Sequence, residues 1–278
     1  MRVNRLGFGA MRITGQGIWG PPSDRATALA VLRKAVELDI DLIDTADSYG
    51  PDVSEQLICE ALHPYPAGLI IATKGGQERS GPDVWIPNGR PEHLRAALEG
   101  SLRRLKVDRI DLYQLHRVDP KVPFEESVGA IANLQREGKI RHVGLSNFNV
   151  ANIEQARKIV PIVSVQNRFN NATGGDEVFN AVTDDETLEV VDYCTREGIG
   201  FFPWGPLAAG KLSSERIDRV AKAKGAAPNQ IALAWLLHRS PVIVPIPGTS
   251  SLAHLEENIA AGAIHLTADE FESLSVGG

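Results

Sequence analysis

Four polar residues stand at or just beyond the ends of short apolar runs: Asp44 and Tyr49 in IDTADSYG, Lys74 closing LIIATK, and His116 closing IDLYQLH. A carboxylate, a phenol, an ammonium and an imidazole gathered in one place can deliver a proton. A free tyrosine, with a pKa of ~10, is a poor acid–base catalyst near neutral pH unless something stabilises its phenolate. An ammonium at Lys74 would lower that pKa, and Asp44 would hold the lysine charged and oriented in a partly buried site. His116 could then hydrogen-bond a carbonyl oxygen and stabilise the alkoxide that develops as hydride arrives. No side chain supplies hydride, so this chemistry calls for a cofactor. Singly, each residue has a plainer reading: Asp44 as a turn former, Lys74 as a solvated strand end, His116 as a hydrogen-bonded rim histidine.

The joint reading rests on the elements that carry them. Short β-branched runs alternate with longer segments of helical period, the pattern of repeated βα units around a parallel sheet. The runs are Leu6 to Ala10, Asp41 to Ala46, Leu69 to Lys74, Ile110 to His116, His142 to Asn147, Ile162 to Gln166, Gly200 to Trp204 and Val242 to Pro247. Helical stretches lie at Ala26 to Leu38, Pro91 to Leu105, Glu125 to Gln135, Ile153 to Val160, Glu186 to Arg196 and Gln230 to Leu237. Eight such units predict an α/β fold, a single (β/α)8 TIM barrel spanning residues 1–278 as one domain. Barrel enzymes gather their chemistry at the C-terminal ends of the strands. There the chain places Asp44, Lys74, His116, Ser146, Asn147, Gln166 and Trp204, so closure would bring them around one ring. Gly75 to Gly89 and Phe169 to Asp185 are too long for ordinary connections and are expected to be active-site loops.

Composition narrows the function classes. The 278 residues carry a formal charge of −6 with no basic run, which argues against a nucleic-acid partner. No apolar run reaches the ~18 to 20 residues of a membrane span. The opening MRVNRLGFGAMRITG has neither the apolar core nor the cleavage site of a secretory signal. Cys59 and Cys194 form neither a CxxC motif nor a disulfide framework. Together these features point to a soluble cytoplasmic protein, and no metal site is expected.

The motifs resemble those of the aldo-keto reductases, in the family's order and over essentially the whole chain: IDTADSYG at Ile43 to Gly50, IATKGG at Ile71 to Gly76, LYQLH at Leu112 to His116, VGLSNF at Val143 to Phe148, VQN at Val165 to Asn167, and IPGTSSLAHLEEN at Ile246 to Asn258. The resemblance implies that Asp44, Tyr49, Lys74 and His116 are the catalytic tetrad, with Tyr49 the general acid in reduction. It implies a nicotinamide cofactor lying across the barrel mouth, and the absence of a GxGxxG motif is then no objection. Ser146, Asn147 and Gln166 match the residues that meet the nicotinamide carboxamide, and Trp204 the aromatic ring stacked on it. GPLAAGK, including Gly205, Pro206, Leu207 and Lys211, resembles the loop along the pyrophosphate. Gly248, Thr249, Ser250, Ser251 and His254 would receive the adenosine phosphate, and Glu257 and Asn258 the adenine.

The sequence departs from the best-known branch of the family, which has lysine where Gly248 stands and arginine where His254 stands. NADP is the expected cofactor, with NADPH preferred, discrimination modest and NADH usable; replacing Gly248 with lysine is expected to sharpen the preference. The expected activity is reduction of a small-molecule aldehyde or ketone. Trp19, Trp85, Arg117, Phe169 and Asn170 are the candidate substrate-pocket residues. VNRLGFGAM, GPPSDR and ARKIVPIVSVQN look closest to bacterial pyridoxal reductase-like members, which makes pyridoxal a candidate substrate. A cofactor-binding redox sensor or regulatory subunit with little turnover is the alternative; a cofactor-independent isomerase would leave the carboxamide-binding set unexplained.

Overall fold

The computed structural model describes residues 1–172, 178–179, 182–208, 212 and 214–275. The strands run β1 (Phe8–Gly9), β2 (Leu42–Asp44), β3 (Ile70–Gly75), β4 (Gln77–Gly81), β5 (Val84–Pro87), β6 (Ile110–Leu115), β7 (Ile140–Ser146), β8 (Ile162–Gln166), β9 (Val178–Phe179), β10 (Val182–Thr183) and β11 (Gly200–Phe201). The helices are α1 (Arg25–Glu37), α2 (Val53–Leu62), α3 (Pro91–Leu105), α4 (Phe124–Arg136), α5 (Val150–Arg157), α6 (Asp184–Glu197), α7 (Glu215–Lys224), α8 (Pro228–Arg239), α9 (Leu252–Ala260) and α10 (Ala268–Ser275).

One parallel sheet takes the order β1-β2-β3-β6-β7-β8-β11. Segment 242–247 closes it. On one side Phe201 N donates to Val242 O at 2.9 Å and Val244 N to Phe201 O at 2.8 Å; on the other Gly7 N donates to Pro245 O at 2.9 Å and Gly9 N to Pro247 O at 3.3 Å. The segment never becomes a regular strand because Pro245 and Pro247 have no N–H to give, so it meets β1 through its carbonyls alone. The predicted TIM barrel is thus the observed architecture, with the eighth stave reduced to an irregular seam.

Side-chain alternation along the staves sorts their residues into layers. Leu42, Ala72, Leu112, Phe202, Val244 and Ile246 form one apolar cluster that plugs the barrel, while Ile43, Tyr113, Val143, Leu145 and Val165 join the larger core between sheet and helices. Two residues beyond Leu42, Ala72 and Leu112 come Asp44, Lys74 and Gln114, which therefore sit in a polar layer directly above the plug. Gly144 makes room for that layer, since a Cβ there would fall 2.3 Å from Ser164 Oγ and 3.0 Å from Gln114 Cγ.

Helix starts are chemically specified. Asp24, Asn149, Ser214 and Ser251 accept from backbone amides in the first turns of α1, α5, α7 and α9, and Thr183 with Glu186 forms a capping box at α6. The helices α2, α7 and α10 lie where the sequence reading named none. The segment Gly75 to Gly89 is also more ordered than expected. It forms the antiparallel β4–β5 hairpin, with Arg79 opposite Trp85 and Glu78 opposite Ile86.

Candidate functional site

At the C-terminal mouth of the barrel, Lys74 Nζ donates to Asp44 Oδ1 at 2.6 Å, to Thr45 O at 2.9 Å and to Tyr49 Oη at 3.2 Å. Lys74 is 0% exposed and Asp44 2%, whereas Tyr49 and His116 keep 6% and 7%. The buried ion pair therefore ends on a phenol that reaches the cleft. The other Asp44 oxygen accepts from Gln114 Nε2 at 3.0 Å and Gln166 Nε2 at 2.9 Å. Gln114, which the sequence reading passed over, is thus part of the same cluster, and its alternation with Leu112 was the available signal. Behind the cluster, fully buried Glu55 accepts from Thr73 Oγ1 at 2.6 Å and Arg104 Nε at 2.6 Å, tying α2 to β3 and α3.

Electrostatics assign different states to the three ionisable groups that line up here. Burial draws the Lys74 ammonium down, but Asp44 and then Tyr49 oppose it and leave its pKa above the ordinary value. Burial raises the Tyr49 phenol, and Lys74 recovers only part of that rise. The sequence expectation of a lowered phenol is corrected to that extent: the lysine pulls in the expected direction, but desolvation in so dry a site is the larger effect. Burial, reinforced by Lys74, Arg117 and Arg79, holds the His116 imidazole well below its ordinary value. Near neutral pH the site therefore presents a protonated phenol, a neutral imidazole and a charged ammonium.

A cleft of about 1180 Å³ opens over this mouth; its lining includes Tyr49, Trp85, His116 and Arg117 and also Gly248, Thr249, Ser250 and His254. That exceeds the ~300 to 1,000 Å³ typical of small-molecule sites, so it has room for a large ligand and a second, small one. Trp85 packs edge-on to Tyr49 and His116, with centroids 6.3 Å and 6.4 Å away. Arg79, unmarked in the sequence, clasps this wall. Its guanidinium donates to Ile18 O at 2.9 Å, Ser48 O at 3.0 Å, Gly17 O at 2.9 Å and Val84 O at 2.8 Å. It also lies 3.7 Å from the centroid of the Trp85 ring. Gln77, oriented to satisfy its neighbours, donates to the His116 ring and accepts from Arg117 Nη2 at 2.8 Å.

Not every expected pocket residue reaches the cleft. Phe169 is 0% exposed and packs against Phe201 and Trp235 in the core, so it is no pocket wall. Asn170 turns its amide to Gly205 O at 3.2 Å and to Ala172 N at 2.9 Å, which braces the 205 turn instead of facing a ligand. Trp19 pairs with Gly50 and sits under Arg79, outside the cleft lining. Past a strand end, a side chain can turn to the core, as Phe169 does, or to a neighbouring loop, as Asn170 does, as readily as toward the mouth.

The cofactor residues expected from the sequence divide similarly. Ser146, Asn147, Gln166, Trp204, Gly205, Pro206, Leu207, Glu257 and Asn258 all line the cleft. Asn147, with φ of 67°, spends its amide on His116 O, Ser146 Oγ and Trp204 Nε1, so it locks three elements at the mouth. The Gln166 nitrogen is committed to Asp44, which leaves its carbonyl oxygen to meet a ligand N–H. Ser251 caps α9 by accepting from His254 N, and its own N–H donates to Thr249 Oγ1 at 3.0 Å. Lys211 lies outside the described residues.

Gly248 has a steric role that the sequence did not disclose. A Cβ built there would stand 2.5 Å from Gly9 O, and one at Gly9 would stand 2.6 Å from Ile246 O, because the closing seam and β1 touch backbone to backbone. The expectation that Gly248→Lys sharpens cofactor choice is therefore replaced by its opposite. The substitution should separate the seam, lower stability by ~1 to 3 kcal/mol as overpacked sites do, and weaken dinucleotide binding generally. Thermal melts with and without NADPH and NADH check this, and a lysine variant as stable as the parent with a gain confined to NADPH would contradict it.

Comparison with known proteins agrees with this geometry. The family model described as "Aldo/keto reductase family" matches residues 5–275. An uncharacterized oxidoreductase of Schizosaccharomyces pombe is 51% identical over 276 residues, covering 99% of this chain and 86% of its own. Pyridoxine 4-dehydrogenase of Escherichia coli is 42% identical over 279 residues, covering 98% and 94%. The crystal structure of an aldo-keto reductase from Klebsiella pneumoniae in complex with NADPH superposes with a TM-score of 0.78 at 26% identity, covering 98% of this chain and 90% of that one. With a match of this extent and a barrel whose mouth carries the Asp44–Lys74–Tyr49 chain beside His116, the protein belongs to the aldo/keto reductase family.

Proposed function

We propose that this chain, acting as one barrel domain, is an NADP(H)-dependent reductase of aldehydes and ketones, with Tyr49 as proton donor and pyridoxal as candidate substrate. The observation that carries the reading is the dry Asp44–Lys74–Tyr49 chain, which delivers a protonated phenol to a cleft shared with a neutral His116. The cleft suits a dinucleotide: its volume of about 1180 Å³ is ample, its lining includes Thr249, Ser250 and His254 at the N-terminus of α9, and Gly9 and Gly248 leave bare backbone beside them. Gln166, Ser146 and Trp204 would hold the nicotinamide end, and Gly205 to Leu207 the pyrophosphate. The bound cofactor supplies the hydride.

The chain's own residues do the rest. Neutral His116 donates a hydrogen bond to the substrate carbonyl oxygen and so fixes it near Tyr49. The Tyr49 O–H passes its proton to that oxygen as negative charge builds on it, and the Lys74 ammonium stabilises the phenolate left behind. Asp44 keeps Lys74 charged throughout. Overall, carbonyl compound, NADPH and a proton become alcohol and NADP⁺. Trp85, edge-on to Tyr49 and His116 and on the cleft lining, gives the site an aromatic wall that suits a ring aldehyde.

The E. coli relative's name supports pyridoxal, and the NADPH complex of the Klebsiella relative supports NADP. No helix among the described residues is long and apolar enough to cross a membrane. A cytoplasmic setting is part of the proposal, supported by Cys59 and Cys194 being free, buried thiols. The test is a steady-state screen of pyridoxal, benzaldehydes, quinones and simple ketones with NADPH and NADH. The expected result is pyridoxal among the substrates with the higher kcat/KM, and NADPH ahead of a measurable NADH rate. Turnover with no carbonyl compound, or a strong NADH preference, would sink the reading.

A further inference from the structure

We infer that Arg12 is the residue by which this chain recognises the adenosine 2′-phosphate and so distinguishes NADPH from NADH. The inference rests on the NADP reading above and adds the group responsible for it. If the nicotinamide lies by Tyr49 and His116, the adenosine of an extended dinucleotide falls at the other end of the cleft. NADPH and NADH differ only by a dianionic phosphate there, so discrimination needs a cation at that end. Position 248 cannot supply one, because the backbones of Gly9 and Gly248 touch and no Cβ fits between them.

Arg12 occupies the space beside that contact. Its Cγ is 3.5 Å from where a Cβ on Gly248 would lie, and its side chain lines the cleft together with Gly248, Thr249, Ser250 and His254. Its base is fixed: it belongs to a short 3-10 turn, Ala10–Ile13, whose Ala10 and Ile13 are fully buried and whose end is tied by Thr14 Oγ1 donating to Met11 O at 2.9 Å. Its head is not committed. Among the described residues Arg12 makes no hydrogen bond or ion pair, so all its donors are available to a ligand, and a guanidinium can meet a phosphate with two at once. His254, also on this part of the lining, is carried on the exposed first turn of α9, and an imidazole, unlike a guanidinium, is not a cation at every pH, which makes it a weaker permanent anchor. Glu257 also lines this end and would oppose an anion, so a cation of fixed charge is required to offset it.

The test is equilibrium binding by protein fluorescence of NADPH, NADH, 2′,5′-ADP and 5′-AMP to wild type, Arg12→Gln, Arg12→Lys and Lys211→Ala. Arg12→Gln is expected to raise Kd for NADPH and for 2′,5′-ADP by ~10-fold or more, the loss typical of one strong charge-assisted contact. NADH and 5′-AMP should change less than about two-fold, since neither carries the phosphate in question. Arg12→Lys should restore part of the loss. An equal weakening of NADPH and NADH would place Arg12 at the shared pyrophosphate and overturn the inference, as would an NADPH preference that survives Arg12→Gln but vanishes in Lys211→Ala. Wild type that binds NADPH and NADH equally would instead overturn the NADP reading itself.

Discussion

Tyr49→Phe is expected to reduce carbonyl turnover by ~100- to 10,000-fold, the range that general acid catalysis contributes, while leaving dinucleotide affinity within about two-fold of wild type. The substitution removes the one group that joins the Lys74 ammonium to the cleft and takes away only an oxygen atom. The ring stays in its edge contacts with Trp85 and His116, so the fold and the mouth are kept. Single-turnover reduction measured alongside fluorescence binding separates the two effects. If the variant kept more than half of the wild-type rate with chemistry limiting, the proton would come from elsewhere, and His116 would be the next group to test.

Lys74→Met should damage both stability and catalysis, and the two losses have separable causes. Breaking a buried ion pair by removing one partner typically costs ~3 to 5 kcal/mol, because the other charge is left uncompensated. Here that charge is Asp44, 2% exposed, and the amides of Gln114 and Gln166 offset part of the cost. The double variant Asp44→Asn/Lys74→Met removes both charges and should recover most of the lost stability without recovering activity. Tyr49, already raised by burial, loses in Lys74 the neighbour that pulled it down, so its pKa rises further. Alcohol oxidation needs the phenolate, which predominates only above the phenol pKa; the rising limb of its pH profile should therefore move to higher pH in Lys74→Met. Reduction uses the protonated phenol, which is present across the neutral range in both proteins, so there its rate should be pH-independent at a reduced height, with any falling limb moved to higher pH together with the oxidation limb. Equilibrium unfolding and paired pH–rate profiles provide the readouts, and an oxidation limb unmoved by the substitution would show that Lys74 does not act through Tyr49.

What was legible in the sequence was the part governed by local pattern. Alternating apolar runs forced a parallel barrel, because strands buried on both faces need helices outside and a filled interior within. The same period-2 alternation put Asp44, Lys74 and the overlooked Gln114 into one layer above Leu42, Ala72 and Leu112, whatever the loops do. The length of Gly75 to Gly89 singles it out, but its hairpin is not legible, since its strands alternate over only a few residues and are anchored by Arg79 to the carbonyls of Gly17, Ile18 and Ser48 in other segments.

The tertiary structure alone decided matters that depend on which backbone approaches which. Phe169 and Asn170 follow a strand end as Asn147 follows another, yet two of the three turn away from the cleft, and Asn170 does so although it is the same residue type as Asn147. Lys74 and Asp44 identified themselves as a pair, but whether the lysine or the burial prevails at Tyr49 depends on how completely water is excluded, a property of the closed barrel. Gly248 read as a missing cation. The fold shows it as a forced glycine at the seam where residues distant in the chain meet backbone to backbone, with the arm of Arg12 beside it, because the first βα turn and the last must share the edge at which the barrel closes.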